Sequence, residues 1–275
     1  MASRLWLRGF SGDEAIRQTL PLMAGCGSGW TIMRVIFSRK GFDSATGGGP
    51  SPIVDGRPVT LPIPSLAASR TTYGALNLGE HVQRASRGRF DADSFCHHDP
   101  MFLSDGTCLF GQCDAAQSHL ANQSVGSGDV FLFFGLFRES GGEPHHRIFG
   151  YLQIAEIVSL ATCEVERLAQ LAAQGHPHAL ASHGRNDTVY VGMGRMANLA
   201  SDALRLSVAG SLPTLWRVPA WLKHGNLTYH HRPERWLGDG LLRAAPRGQE
   251  FVAHIGGNNE ARDWLDTILG EINKS

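Results

Sequence analysis

The chain has no excess of charge of either sign. Lysine plus arginine number 25 and aspartate plus glutamate 25 in 275 residues, which removes the broad basic field that a protein coating extended DNA or RNA relies on. Arginine greatly outnumbers lysine, so local arginine patches remain open. No apolar run approaches the ~18–20 residues that span a bilayer as a helix. The five cysteines, at 26, 96, 108, 113 and 163, form no C-x-x-C pair. That argues against a zinc ribbon or a disulfide framework and suits a reducing cytoplasm, the compartment expected here. There is no G-x-S-x-G elbow, no H-x-E followed by P-C-x-x-C, and the glycine run at 47–49 has neither P-loop nor Rossmann spacing. Elbow-type hydrolases, zinc deaminases and the two common phosphate-binding loops therefore have no support.

Residues 1–32 start with basic residues, but Asp13, Glu14 and Arg17 fall where a signal peptide needs apolar side chains. They read as a disordered leader or an upstream over-extension of the reading frame, with the functional chain beginning near Met33. No repeat or linker divides the remainder, so 33–275 reads as one domain.

Its pattern is mixed. VFLFFGLF after the turn at 126–129 is apolar on both faces, the mark of a central strand. The run at 147–160 pairs back on it as an antiparallel hairpin. Residues 54–65, with three prolines, read as an edge or crossing segment. Helices are predicted over 71–83 with Thr71 or Thr72 as cap, over 115–122 with Asp114 as cap, over 164–174 and over 260–272. Strands are predicted at 35–37, 186–192 and 249–253. The fold class is α+β, a single mixed domain with a central, largely antiparallel, barrel-like sheet flanked by helices.

Three groups of residues carry candidate chemistry. The first follows the strand at 35–37, where Arg39 and Lys40 lead into a loop holding Asp43, Ser44, Gly47, Gly48, Gly49 and Ser51. Glycine supplies positive φ and bare backbone, so amides there could face an anion; a surface turn fits the same pattern. The second is Cys96-His97-His98-Asp99. In extended chain His97 and Asp99 point to one face, and H-x-D with one distant histidine is the donor set of a mononuclear iron facial triad. His119 is the first choice for that distant ligand and His183 the second. Gln112, just before the 115–122 helix, suits the hydrogen-bonding edge of a base. The alternative is that Asp99-Pro100 makes a turn and the histidines are ordinary polar residues. The third group is Arg247 and Gln249, which share a strand face while Glu250 takes the other; arginine there suits a phosphate or carboxylate, and an edge-strand salt bridge is the alternative. The pairs His145-His146 and His230-His231 read as solvated. Trp216, Trp221, Tyr229 and Trp236 read as packing anchors, with Tyr229, His230 and Arg232 also placed to stack on a planar ligand.

The motifs SRKGFDSATGGGPSPI, DGRPVTLPIPS, CHHDP, FGQCDAAQSHL, VGSGDVFLFFGLFR with HRIFGYLQI, and RGQEFV, in that order, resemble the third of the nucleotide modification associated domain families. The resemblance covers roughly 33–275. It implies a part in hypermodification of nucleic-acid bases, DNA included, or in related nucleotide chemistry. The hairpin at 126–160 is also similar, loosely, to PUA-like barrels that bind modified bases, an analogy of fold alone.

Two functions follow. One is an enzyme modifying a nucleotide or base, possessing Fe(II) held by His97, Asp99 and His119, with Gln112 orienting the substrate and the 39–51 loop on its anionic end. The other is a module that recognises a modified base without chemistry. A small-molecule or peptide tailoring enzyme on the same fold is a third. In each the partner is contacted locally, over no extended basic surface and at no membrane.

Overall fold

The strand VFLFFGLF has no polar side chain to offer water, and it stands in the middle of the molecule's main sheet. The computed structural model describes residues 33–65, 69–246 and 250–274; the 1–32 leader and the candidates Arg247 and Gln249 lie outside the described residues. In chain order the elements are β1 (Arg34–Arg39), β2 (Ser51–Val54), β3 (Arg57–Pro58), α1 (Gly79–Ser86), β4 (Met101–Phe102), β5 (Thr107–Gln112), α2 (Asp114–Asn122), β6 (Val130–Glu139), β7 (His145–Ser159), α3 (Val165–Ala173), α4 (Pro177–Leu180), β8 (Thr188–Met196), β9 (Leu215–Arg217), β10 (Trp236–Gly238), β11 (Leu241–Arg243), β12 (Glu250–His254) and α5 (Asn259–Ile272).

The main sheet runs β12-β1-β6-β7-β8-β5-β4, with β2 and β3 added along β6. It curls into a half-barrel. The expectation of a largely antiparallel sheet needs refining, because β1 and β2 both run parallel to β6 while the remaining pairs are antiparallel. Parallel pairing needs the long connection that runs between β1 and β6, since no hairpin turn can join parallel strands. β9, β10 and β11 form a small separate sheet.

The period-2 alternation of β6 divides the core. Val130, Leu132 and Phe134 face a cluster with Trp216, Trp221 and the buried residues Ala261, Leu265, Ile268 and Ile272 of α5. Phe131, Phe133 and Phe137 face a second cluster with Phe110, Phe149, Tyr190 and, from α2, Leu120. Each fully buried phenylalanine removes enough apolar surface from water for ~1.5–3 kcal/mol.

The helix expected over 71–83 is confined to Gly79–Ser86. Upstream, Tyr73 is fully buried and its hydroxyl donates to Pro62 O at 2.8 Å, while Asn77 takes φ +58°; a left-handed residue interrupts helical hydrogen bonding. Asp114 does not cap α2 through its side chain either. It is the first helical residue, and the Asn186 amide accepts from its N–H at 2.6 Å and donates to its carbonyl at 3.0 Å. No helix among the described residues is long and apolar enough to cross a membrane.

Candidate functional site

The CHHDP segment enters the core as extended chain. Cys96 N–H donates to Thr71 O at 2.9 Å and His97 N–H to Ile63 O at 2.8 Å. Asp99 then turns under β5, where Gly111 N–H donates to both its carboxylate oxygens, at 3.0 and 3.2 Å. Around this buried carboxylate stand three imidazoles. His97 Nε2 is 3.6 Å and His178 Nε2 3.7 Å from the same oxygen, Oδ2, and His176 Nε2 is 3.6 Å from Oδ1. Burial pushes the Asp99 carboxyl up, but the imidazoles of His176, His97 and His178 around it outweigh burial and hold the group well below the usual value.

His176 and His178 come from the short helix α4 and its N-cap. They reach Asp99 because β5 has a glycine at the point of contact: a Cβ on Gly111 would lie 2.2 Å from His178 Cδ2. The other ring nitrogen of His178, Nδ1, meets Asp187 Oδ1. A carboxylate only accepts, so Nδ1 carries a proton and donates to Asp187, which directs Nε2 toward Asp99. Asp187 also accepts from His183 N–H at 2.7 Å, and these contacts, against the opposing effect of burial, hold its carboxyl down. His183 stacks on His178 with ring centroids 4.3 Å apart and donates through Nδ1 to Ala181 O at 2.7 Å. Burial and the neighbouring His178 lower its pKa. His176 is fully buried with neither ring nitrogen hydrogen-bonded.

One ligand atom each from His97, Asp99 and His178 lie within 4.8 Å of one another; His178, His183 and Asp187 form a second such group. Atoms ~2.0–2.2 Å from one metal stand roughly 3–3.6 Å apart, close to the 3.6 and 3.7 Å seen at Asp99 Oδ2. The first group is two histidines and a carboxylate, the donor set expected from H-x-D with a distant histidine. The distant histidine is His178. His119 sits elsewhere, with Nε2 3.1 Å from Thr228 Oγ1 and its ring against Tyr229.

A cleft of about 700 Å³ opens onto this cluster, and His97, Asp99, His178 and His183 form one side of it. Arg39, Lys40, Asp43 and Gln112 form another, so segments remote in sequence do converge. Arg39 donates to Ala245 O and Pro246 O, both at 3.0 Å, and lies over the Phe134 and Phe251 rings; burial lowers its pKa. Beneath the cleft is Glu250. Its Oε1 accepts from Gln112 Nε2 at 2.7 Å, Lys40 Nζ at 3.1 Å and Ser38 Oγ at 3.1 Å. Strand parity set this carboxylate apart from Arg247 and Gln249 in the sequence reading, and nothing local signalled that it anchors Lys40 and Gln112.

The glycine loop does something other than expose amides. The N–H groups of Ala45 and Thr46 donate to the Asp43 carboxylate at 2.9 and 2.7 Å, and Gly48 N–H to Asp43 O at 2.9 Å. Gly47 and Gly48 have φ of +99° and +102°. A Cβ on Gly47 would strike the Phe42 ring, on Gly48 the Arg89 guanidinium, and on Gly49 the Ala85 carbonyl. The glycines let this loop pack on α1. Ser44 is exposed outside the cleft, and buried Ser51 accepts from Leu61 N–H at 3.1 Å. Cys96 is fully buried, its thiol pushed up to about 12 by desolvation, so it is no nucleophile.

The structure thus defines a class: an α+β protein with a carboxylate–histidine cluster on the wall of a cation-bearing cleft. The chain matches the family model described as nucleotide modification associated domain 3 over residues 34–254 and belongs to that family. No curated protein and no solved structure matches it.

Proposed function

We propose that this protein is an enzyme that modifies a nucleotide or a nucleic-acid base, using a divalent metal ion held by His97, Asp99 and His178. The observation that carries it is the pair of Nε2 atoms, 3.6 and 3.7 Å from one buried carboxylate oxygen, where Asp187 holds His178 by its other ring nitrogen. One ligand atom from each of the three residues lies within 4.8 Å of the others, the spacing of donors grouped around a single ion. Two histidines and one carboxylate favour Fe(II), which when bound supplies a Lewis-acidic centre with open positions for substrate.

The protein's own groups have definable tasks. Asp187 holds His178 in the tautomer that leaves Nε2 free, the outer support that metal-binding histidines need. Gly111 N–H orients Asp99. Arg39 and Lys40 offer an anionic phosphate two kinds of donor, a planar fork and a point charge. Gln112, fixed by Glu250, presents little free amide, so its role is to hold the floor beside the substrate. The nucleotide class rests on the family, and the local cations support it. The described cysteines, free thiols at 96, 108, 113 and 163, suit a reducing cytoplasm.

Protein purified without oxygen should contain about one divalent ion per chain. His178→Ala and Asp99→Ala should lose it, and His119→Ala should keep it. Metal-free wild type that takes up no Fe(II), Mn(II) or Zn(II) in an equilibrium titration would sink the proposal. If such protein still bound a modified oligonucleotide, the recognition module built around the β6–β7 hairpin would be the better reading.

A further inference from the structure

Asp99 has a second side. Beyond it lies another cavity, of about 350 Å³, which shares Lys40, Gly41 and Asp99 with the polar cleft. The two spaces adjoin along those three residues and differ in chemistry. Whereas the cleft is walled by cations, imidazoles and carboxylates, most of the second chamber's wall is apolar, from Pro58, Val59, Leu76, Leu78, Phe102 and Phe149, with Arg57 its one charged residue beyond the shared Lys40 and Asp99. Its aromatic walls are fixed in place. The Phe102 ring meets Phe133 edge-on at 5.9 Å, and Phe149 packs on Phe133 at 6.2 Å and Phe137 at 5.8 Å.

Apart from the exposed Arg57 and the shared Lys40 and Asp99, the polar side chains at this chamber are three. His98 lines it, as does Thr60, whose buried Oγ1 has no hydrogen-bond partner. Asn198 stands exposed at its edge beside Met196, itself 42% exposed. Apolar walls with a few convergent donors and acceptors are the makeup of a small-molecule site. Its volume is at the low end of the range for such sites, ~300–1,000 Å³. That suits one planar ring system and leaves no room for an extended chain.

We infer that this chamber seats the base of the nucleotide, an uncharged planar heteroaromatic ring, while the cleft across Lys40 and Asp99 receives the phosphate-bearing end. The inference rests on the nucleotide reading above and adds to it which cavity takes which part. Phe102 and Phe149 supply apolar and aromatic surface for the ring faces. His98, Thr60 and Asn198 supply groups that donate or accept at the ring edge. The sugar then lies over Lys40, and the part of the ligand nearest Asp99 is the part next to the metal-binding group.

The test is equilibrium binding of the four common 2′-deoxynucleoside 5′-monophosphates and their free nucleosides, by calorimetry, with metal content measured on the same samples. Met196→Trp and Asn198→Trp would fill the mouth of the chamber from exposed positions away from the metal group. At least one monophosphate should saturate the wild type, and both variants should weaken it and its nucleoside by roughly tenfold or more, with metal content unchanged. A monophosphate that binds both variants as well as wild type, but is lost in Arg39→Ala, would put the whole ligand in the cleft and overturn the base seat. Absence of binding by all four, in metal-loaded protein, would overturn it as well. Metal content reports separately on the catalytic reading: protein without metal whose nucleoside binding is blocked by Met196→Trp keeps the base seat and discards the metal.

Discussion

Buried histidines occur in two regions of this molecule, and their surroundings differ. On the α5 side of the sheet, His146 Nδ1 accepts from Trp216 Nε1–H at 3.0 Å. There too, His230 donates from Nδ1 to Thr228 O at 2.8 Å and accepts at Nε2 from Ala245 N–H at 2.9 Å. Each is a neutral ring whose tautomer is set by its partners. At Asp99, by contrast, neither ring nitrogen of His176 has a hydrogen-bond partner, and His178, held through Nδ1 by Asp187, directs Nε2 to a carboxylate oxygen 3.7 Å away. The first pair is internal bracing. The second gathers three imidazoles around one carboxylate at 3.6–3.7 Å, a grouping of ligand atoms able to hold an ion. Carboxylates repeat the contrast: Glu250 is met by an ammonium, an amide and a hydroxyl, Asp99 chiefly by imidazoles.

The bracing histidines should dominate the acid side of stability. Burial holds their pKa down, to about 3 for His146 and about 4 for His230, below the ~6.5 of an unfolded histidine. Their contribution is therefore complete above pH 6.5 and is lost as pH falls toward the folded values. At ~1.4 kcal/mol per pH unit for each ring, the two together remove up to about 5 kcal/mol between pH 6.5 and 4.5. Urea unfolding across that range measures it. A flat profile would show that these rings are not held neutral.

Glu250→Ala comes next. It leaves the Lys40 ammonium buried without its carboxylate, and breaking such a pair costs ~3–5 kcal/mol. The midpoint of denaturant unfolding should drop accordingly while the metal content stays. A loss below about 1 kcal/mol would mean that Lys40 escapes to the cleft. Gly111→Ala should cost ~1–3 kcal/mol through overpacking against His178, and unlike Glu250→Ala it should also weaken metal uptake. The smallest effect is expected of His176→Phe. Replacing a ring with two unpartnered nitrogens by an apolar one of similar shape should change metal-free stability by less than about 1 kcal/mol, whereas His230→Phe strands the Ala245 N–H and costs ~1–3 kcal/mol. Equal losses in the two variants would erase the distinction between bracing and site.

Much of the framework was legible beforehand. The all-apolar β6, its return strand β7, and the helices α2, α3 and α5 follow from periodicity, because a strand with two buried faces and a helix with one leave different patterns. The H-x-D box and the cations at 39 and 40 were legible as chemistry. Other readings failed for identifiable reasons. His145, His146 and His230 are buried, where pairs of histidines in polar surroundings suggest solvent; Trp216, the partner of His146, and Ala245, a partner of His230, lie in other segments. The triple glycine marked a need for close approach without saying what approaches, and Phe42, Arg89 and α1 occupy the space an anion was expected to take. His119, with His183 behind it, is what the sequence offers as the distant donor, because His119 lies on a recognisable helix after Gln112; no local signal points to His178.

Local sequence, then, determined strand, helix, core face and the kinds of donor available, since those depend on neighbours within a few residues. Tertiary structure alone decided which histidine completes the set at Asp99. The approach of α4 to the 96–99 box has no local signature: it exists because β5 places a glycine where His178 must pass and an amide where Asp99 must be held.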